Sequence, residues 1–294
     1  MPNQVRSGLK NLRLNAFRSL FRFIIYSNFY IAVIATIMAC QTSWIFSEGL
    51  VSHDLLLFIG FATLCSYSFH YYLSDHSFLP SPRVKWTLAN RSWVGFLFIT
   101  GILGASWFGW ALREHWIWLI PAVVATFLYS APKIPHKHFR ALRKVAIGKT
   151  IFLAFIWMYV TAVLPIVEYG GEWTNTMRIY CVNQFFFLYA ICILFDIRDR
   201  EDDKADGVRS LITYLNSDNI KRLYYFSLGI AMASLGVMMI KGIPTASIVI
   251  LLIPVLILFF IYDKAVQDLS DSFYYFFLDG LMALSALLMA LCRI

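Results

Sequence analysis

Pro244-Thr245-Ala246-Ser247-Ile248-Val249-Ile250-Leu251-Leu252-Ile253-Pro254-Val255-Leu256-Ile257-Leu258-Phe259-Phe260-Ile261-Tyr262 runs without one charged residue. At 1.5 Å of rise per residue, a helix of that length is about as long as the ~30 Å hydrocarbon core of a bilayer is thick. The stretch reads as a membrane span, and it has eight counterparts. The nine expected spans lie near 23–46, 51–73, 92–112, 116–130, 147–167, 178–196, 222–240, 244–262 and 272–291. The fourth is the shortest, with Pro121 inside it and Pro132 just beyond its end. Composition agrees: of 294 residues 60% are hydrophobic and 14% charged, with a mean hydropathy of +0.66, whereas a soluble domain is roughly half apolar and about a quarter charged. A cytosolic enzyme, a disordered regulator and a disulfide scaffold are excluded. The expected fold class is all-α, a polytopic membrane protein with nine transmembrane helices.

The chain divides into a basic segment, 1–22, expected to lie amphipathically on the surface or to be disordered, and a nine-helix unit, 23–294. The segment is too polar for a signal peptide. Cytoplasmic loops carry the excess of Lys and Arg. An N-terminus inside places 21 of the 25 basic residues on the cytoplasmic face and leaves only Arg113, Arg178, Lys241 and Arg293 outside. Removing a span would scramble that division. The +8 formal charge is therefore a topology signal and no argument for nucleic acid. The expected location is a multi-pass position in a membrane, the bacterial inner (plasma) membrane, with the long loops cytoplasmic.

Cys40, Cys65, Cys181, Cys192 and Cys292 fall within spans or at their ends and read as buried thiols. His136 and His138 read as part of an interfacial loop. The outer connections are short, while three inner ones, near 74–91, 131–146 and 197–221, are long and polar. Binding or chemistry is expected on that inner face.

The richest inner stretch is Leu194-Phe195-Asp196-Ile197-Arg198-Asp199-Arg200-Glu201-Asp202-Asp203-Lys204-Ala205-Asp206-Gly207-Val208-Arg209-Ser210-Leu211. If the sixth span's helix persists, Asp196, Asp199 and Asp203 share one face, three and seven residues apart. Like charges at that spacing repel, and a divalent cation reverses the sign. An oxygen-only set suits Mg²⁺, which keeps waters and bridges one or two carboxylates to substrate phosphates. Gly207 is an expected helix stop. The same stretch also reads as a mixed-sign charged loop in which Arg198, Arg200 and Lys204 neutralise the acids. The cation is favoured by the preceding inner loop. Leu128-Tyr129-Ser130-Ala131-Pro132-Lys133, followed by Arg140, Arg143 and Lys144, brings cations that suit phosphate oxygens.

Nine spans, an N-terminus inside, the acidic stretch after the sixth span and a Tyr-Ser-x-Pro segment closing the fourth resemble the UbiA superfamily of intramembrane prenyltransferases. The family's Asp-x-x-x-Asp matches Asp199 and Asp203, followed by Gly207, Arg209 and Ser210. The resemblance implies a helical bundle of two related halves around a central cavity. It further implies Mg²⁺-assisted ionisation of a prenyl diphosphate and transfer of the prenyl group to an aromatic or other lipophilic acceptor. In the first half the family's Asn-x-x-x-Asp-x-x-x-Asp falls on Tyr67, Tyr71 and Asp75, so one carboxylate of that motif remains. Three readings are open. The second motif plus Asp75 ionises the diphosphate, with Arg83 and Lys85 supplying charge in place of metal contacts. Alternatively Tyr67, Tyr71, Tyr72 and His70 line a pocket for cyclisation, or the fold binds or transports an isoprenoid without catalysis. The tyrosines also read as an interfacial aromatic belt.

Expected metal ligands are thus Asp196, Asp199 and Asp203, and expected catalytic groups are Asp199, Asp203 and Asp75. Expected diphosphate contacts are Arg83, Lys85, Lys133 and Arg140, with Tyr67, Tyr71 and Asn28 as further substrate contacts or, for Asn28, helix-to-helix hydrogen bonding. Asp279, two turns into the ninth span, is expected to face a cavity or a partner. Asp263, Asp268 and Asp271 read as a solvated turn.

Overall fold

The structure is a computed structural model, and it describes residues 19–47, 50–73, 81–134, 148–205 and 210–292. Among these residues it is all helical, and nine helices are long and apolar enough to cross a membrane. In chain order we label α1 Phe29–Phe46, α2 His53–Tyr72, α3 Pro82–Ala89, α4 Arg91–Ala111, α5 Trp116–Ser130, α6 Lys149–Tyr169, α7 Asn175–Arg198, α8 Arg200–Ala205, α9 Ser217–Ile240, α10 Thr245–Gln267 and α11 Phe273–Cys292. All but α3 and α8 are spans.

Local chemistry sets the ends. Ser52, Thr174 and Asn216 each accept a backbone N–H at the start of α2, α7 and α9, as N-caps do. Gly170, at φ 75°, closes α6 in the left-handed conformation that costs glycine nothing. The long inner connection 74–91 contains an element that its polar composition hid. Ser81 caps α3 with Pro82 in its first turn, an arrangement that satisfies one orphan donor and needs no N–H from proline.

The first span differs from its expected course. The expected helix over 23–46 is two helices: one over 19–26, and α1 from Phe29, separated at Asn28, which has φ 66° and ψ 3°. Apolar side chains on both sides of the break hid it in the sequence. The four described residues of the basic segment, 19–22, begin the first of these helices.

The core runs along α7, where Tyr180, Leu188, Ile191, Ile193 and Leu194 have almost no exposure, and it is closed by α1, α6, α9, α10 and α11. The α4 helix lies outside this core, against α2, with Trp107 and Trp110 facing outward as on a lipid-facing surface. Gly101 makes its approach possible. A Cβ there would lie 2.7 Å from the Cys65 backbone nitrogen, and one at Gly104 would lie 2.4 Å from the Phe61 ring. Small residues at such crossings let helices pack in lipid, where burial alone supplies little attraction. Gly101→Ala is expected to cost about 1–3 kcal/mol by forcing the helices apart. The check is the thermal midpoint followed by tryptophan fluorescence, and an unchanged midpoint would contradict the close packing.

Candidate functional site

The acidic stretch stays helical beyond the sixth span. Asp199 ends α7, and the Asp203 N–H donates to the Asp199 carbonyl at 2.8 Å, so the helical spacing of the three acids carries into α8. Each acid meets a different fate. Asp196, buried, accepts a hydrogen bond from the Thr150 hydroxyl. Asp203 is ion-paired with the Lys149 ammonium at 3.2 Å. No described residue hydrogen-bonds or ion-pairs with the Asp199 carboxylate. Its pKa is raised, chiefly by burial, with Arg198 and Lys149 opposing and Asp203 and Asp202 adding to the rise.

The described basic residues of the stretch form their bonds away from these three acids. Arg198 reaches to Asp271 instead, Arg200 donates to the Leu215 carbonyl at 2.8 Å, and Lys204 pairs with Glu201 on the exposed side. Asp271 consequently is no part of a solvated turn. It is nearly buried between Arg198 and the Tyr26 hydroxyl, which donates at 2.8 Å. Burial first, and then this carboxylate, push the Tyr26 phenol up. Asp263 and Asp268 do lie at the surface.

The first half contributes a cation. Arg83 of α3 is 2% exposed, and its Nη2 donates to Asn28 Oδ1 at 2.6 Å. Asn28 in turn donates to Ser68 on α2 at 3.3 Å. Asparagine tolerates the left-handed backbone at this break, which turns its amide toward both partners. The guanidinium carbon sits 3.8 Å from the Tyr71 ring centroid and 4.3 Å from that of Tyr275, held between two aromatic faces. Its Nε–H is buried with no acceptor among the described residues. Burial works against the Arg83 charge, yet Tyr71, Tyr275 and Asp279 outweigh it and its pKa is raised.

The same two rings join the halves. Lys133 Nζ lies 5.9 Å from the Tyr71 centroid, and the Arg198 guanidinium lies 4.5 Å from that of Tyr275. Lys133 is also within electrostatic reach of Lys149, Asp199, Asp203 and Arg83. Tyr67 accepts from the Trp157 indole at 3.2 Å. His70 stacks on Tyr129 and hydrogen-bonds to Ser130 at 3.3 Å, which fastens the end of α2 to the end of α5. Asp279, 8% exposed, acts electrostatically on Arg83, Tyr67 and Cys192.

Of the expected site residues, then, Asp196, Asp199, Asp203, Arg83, Lys133, Tyr67, Tyr71 and Asn28 gather at one end of the bundle. Lys85 does not join them in the buried cluster. Two positions from Arg83 on a short helix, it points the opposite way and is exposed. Asp75, Arg140, Arg143, Lys144, Gly207, Arg209, His136 and His138 lie outside the described residues. Lys149, Thr150 and Tyr275 are not among the expected site residues, and Asp271 is expected from the sequence only in a solvated turn. Their partners are distant in the chain, and nothing local marks them.

The donor set limits the metal it could take. Among the described residues no group of three or more His, Cys, Asp or Glu side chains is placed to enclose an ion. One partnerless carboxylate beside another that is held by a lysine fits Mg²⁺, which takes one or two carboxylates and fills its shell with water and phosphate oxygens, and does not fit an all-protein cage.

The family model described as UbiA prenyltransferase family matches residues 76–281, more than two-thirds of the chain. The chain belongs to the UbiA prenyltransferase family. Within this UbiA match fall Arg83, Lys133, Lys149, Tyr275, Asp279 and the whole second acidic motif, while Asn28, Tyr67, Tyr71 and Asp75 precede it. No curated protein matches the chain. The Arg83 guanidinium is lodged beside Tyr71, which lies five residues before the matched region begins.

Proposed function

We propose that the chain is a UbiA-type prenyltransferase of the membrane, working on a prenyl diphosphate at the cytoplasmic end of its helices. The observation that supports this is the meeting of Arg83, Lys133 and Arg198 around Tyr71 and Tyr275, with Lys149 beside the adjoining acids Asp199 and Asp203. Cations for a diphosphate and carboxylates for a metal are thus neighbours. Asp199 and Asp203 would hold Mg²⁺, with Asp196 assisting from its bond to Thr150. An ion held by these carboxylates would supply positive charge against the diphosphate oxygens.

The reaction begins when the allylic C–O bond breaks and its electron pair leaves with the diphosphate. Arg83 and Lys133 stabilise that developing charge by charge-assisted hydrogen bonds. A nucleophilic atom of the lipophilic acceptor then bonds to the allylic cation and loses a proton. The apolar bundle keeps water from capturing the cation. The second reading is cyclisation without an acceptor, for which the aromatic pair Tyr67 and Trp157, with ring centroids 6.2 Å apart, would steady the same cation.

The test is incubation of the purified chain with Mg²⁺ and geranyl, farnesyl and geranylgeranyl diphosphates, following diphosphate release with and without added aromatic acceptors. Release that needs Mg²⁺ and yields prenylated acceptor is expected. Cyclic product with no acceptor consumed would select the second reading, and release no faster than in chelator would overturn both.

Lys149 supplies a separate expectation. Lys149→Ala removes the ion pair from Asp203 and leaves like charges facing one another on α7 and α8. The cost is expected at about 1–2 kcal/mol, below that of a fully buried pair because both side chains keep some solvent. Hydrogen exchange over 199–205 should quicken. Added Mg²⁺ should raise the thermal midpoint more in the variant than in the wild type, and equal responses would count against these acids as its site.

A further inference from the structure

Arg83 is a buried cation on which Asp279 acts electrostatically without pairing with it. Among the described residues no carboxylate lies within ion-pairing distance of it, one N–H is used by Asn28, and Nε–H has no acceptor. Two rings hold the guanidinium in place, and a left-handed asparagine aims an amide at it. A purely structural arginine in such a place would be expected to use its donors, because each buried unmade hydrogen bond costs stability. Here Nε–H is held ready and unused. The ligand that uses it must be anionic and must reach the end of the bundle where Lys133 and Arg198 also stand, which points to a phosphate group. We infer that Arg83 is a resident anion-binding group that grips a diphosphate directly on the first-half side of the site, so that this side works without a metal and only the Asp199–Asp203 side calls for one. This deepens the diphosphate reading and rests on it for the identity of the natural ligand.

The experiment is calorimetry of the full chain in phosphatidylcholine nanodiscs, titrated with inorganic pyrophosphate in excess EDTA and again in Mg²⁺. The wild type is expected to bind pyrophosphate in EDTA. Arg83→Met is expected to weaken that binding on the order of tenfold to a hundredfold, the loss that accompanies removal of a charge-assisted contact. Asn28→Asp serves as a second variant should Arg83→Met fail to fold. Its shape is unchanged and aspartate also tolerates the left-handed backbone, but it neutralises the guanidinium in place and should weaken binding similarly.

No pyrophosphate binding in EDTA by the wild type, or equal binding by the Arg83 and Asn28 variants, would overturn the inference. So would displacement of pyrophosphate by phosphatidylglycerol added to the nanodiscs, which would give Arg83 to a lipid headgroup. Binding in EDTA by a chain that releases no diphosphate from any prenyl substrate would leave the inference standing while the transferase reading fell. Binding and turnover that both require Mg²⁺ would do the reverse.

Discussion

Asp199→Asn is expected to slow diphosphate release on the order of a hundred- to a thousandfold while leaving the folded protein at least as stable as before. That drop is what removing one charge-stabilising group from a transition state costs. Asp199 makes no hydrogen bond or ion pair with a described residue, so no direct bond is lost with its charge, and burial outweighs the attraction of Arg198 and Lys149. Burial raises its pKa, meaning that the folded state disfavours the ionised form. An acid shifted upward in this way detracts from stability when ionised at neutral pH, and the penalty disappears as pH falls through its raised value. The amide therefore gains its advantage at neutral pH and loses it on acidification. Activity and thermal midpoint measured together decide the matter. A variant that keeps its activity, or that loses activity only in step with its fold, would remove Asp199 from the chemistry.

Asp271→Ala is expected to have the opposite signature, a loss of stability first. Arg198 and Asp271 are 8% and 10% exposed at their side chains, and they tie the end of α7 to the start of α11. Without Asp271 the Arg198 charge stays buried against Tyr274 and Tyr275, its Nη1 already lacking a partner among the described residues, and Tyr26 loses its acceptor. Breaking one side of such a pair costs about 3–5 kcal/mol, because the partner is left charged and desolvated. For a chain of this size that corresponds to a fall of roughly 10 °C in the thermal midpoint. Arg198→Met made in the Asp271→Ala background should recover part of the loss, since the stranded charge is then gone. A double variant less stable than either single one would refute this account.

How far the sequence could be read depends on the range of each interaction. The spans were legible because hydrophobic length is written locally, and so was the second acidic motif, whose helical spacing lies within eight residues. The break at Asn28 was not, since Phe23 to Tyr26 is as apolar as Phe29 to Ala32 and the turn depends on Arg83, 55 residues away. Asp203 looked solvated or metal-bound until Lys149, 54 residues earlier, closed on it. Asp271 looked like a turn residue because its partner stands 73 positions back. Arg83 was singled out as a cation replacing metal contacts, but the aromatic clamp was invisible because Tyr275 belongs to the last span. Charge was legible; what each charge touches was not.

The two wide turns in the spans, Tyr159–Val163 in α6 and Phe273–Leu278 in α11, each take one residue more than an α-turn to close. Losing a single codon inside either turn would let it relax to ordinary pitch with the helix beyond still presenting the same side to its neighbours. The same loss elsewhere in a span would swing everything downstream by about 100°. These two places are therefore where the length of the chain can drift between generations without the bundle coming apart. In α11 the drift would shift Tyr275 against Arg83, so the gene could shorten there only by giving up the clamp.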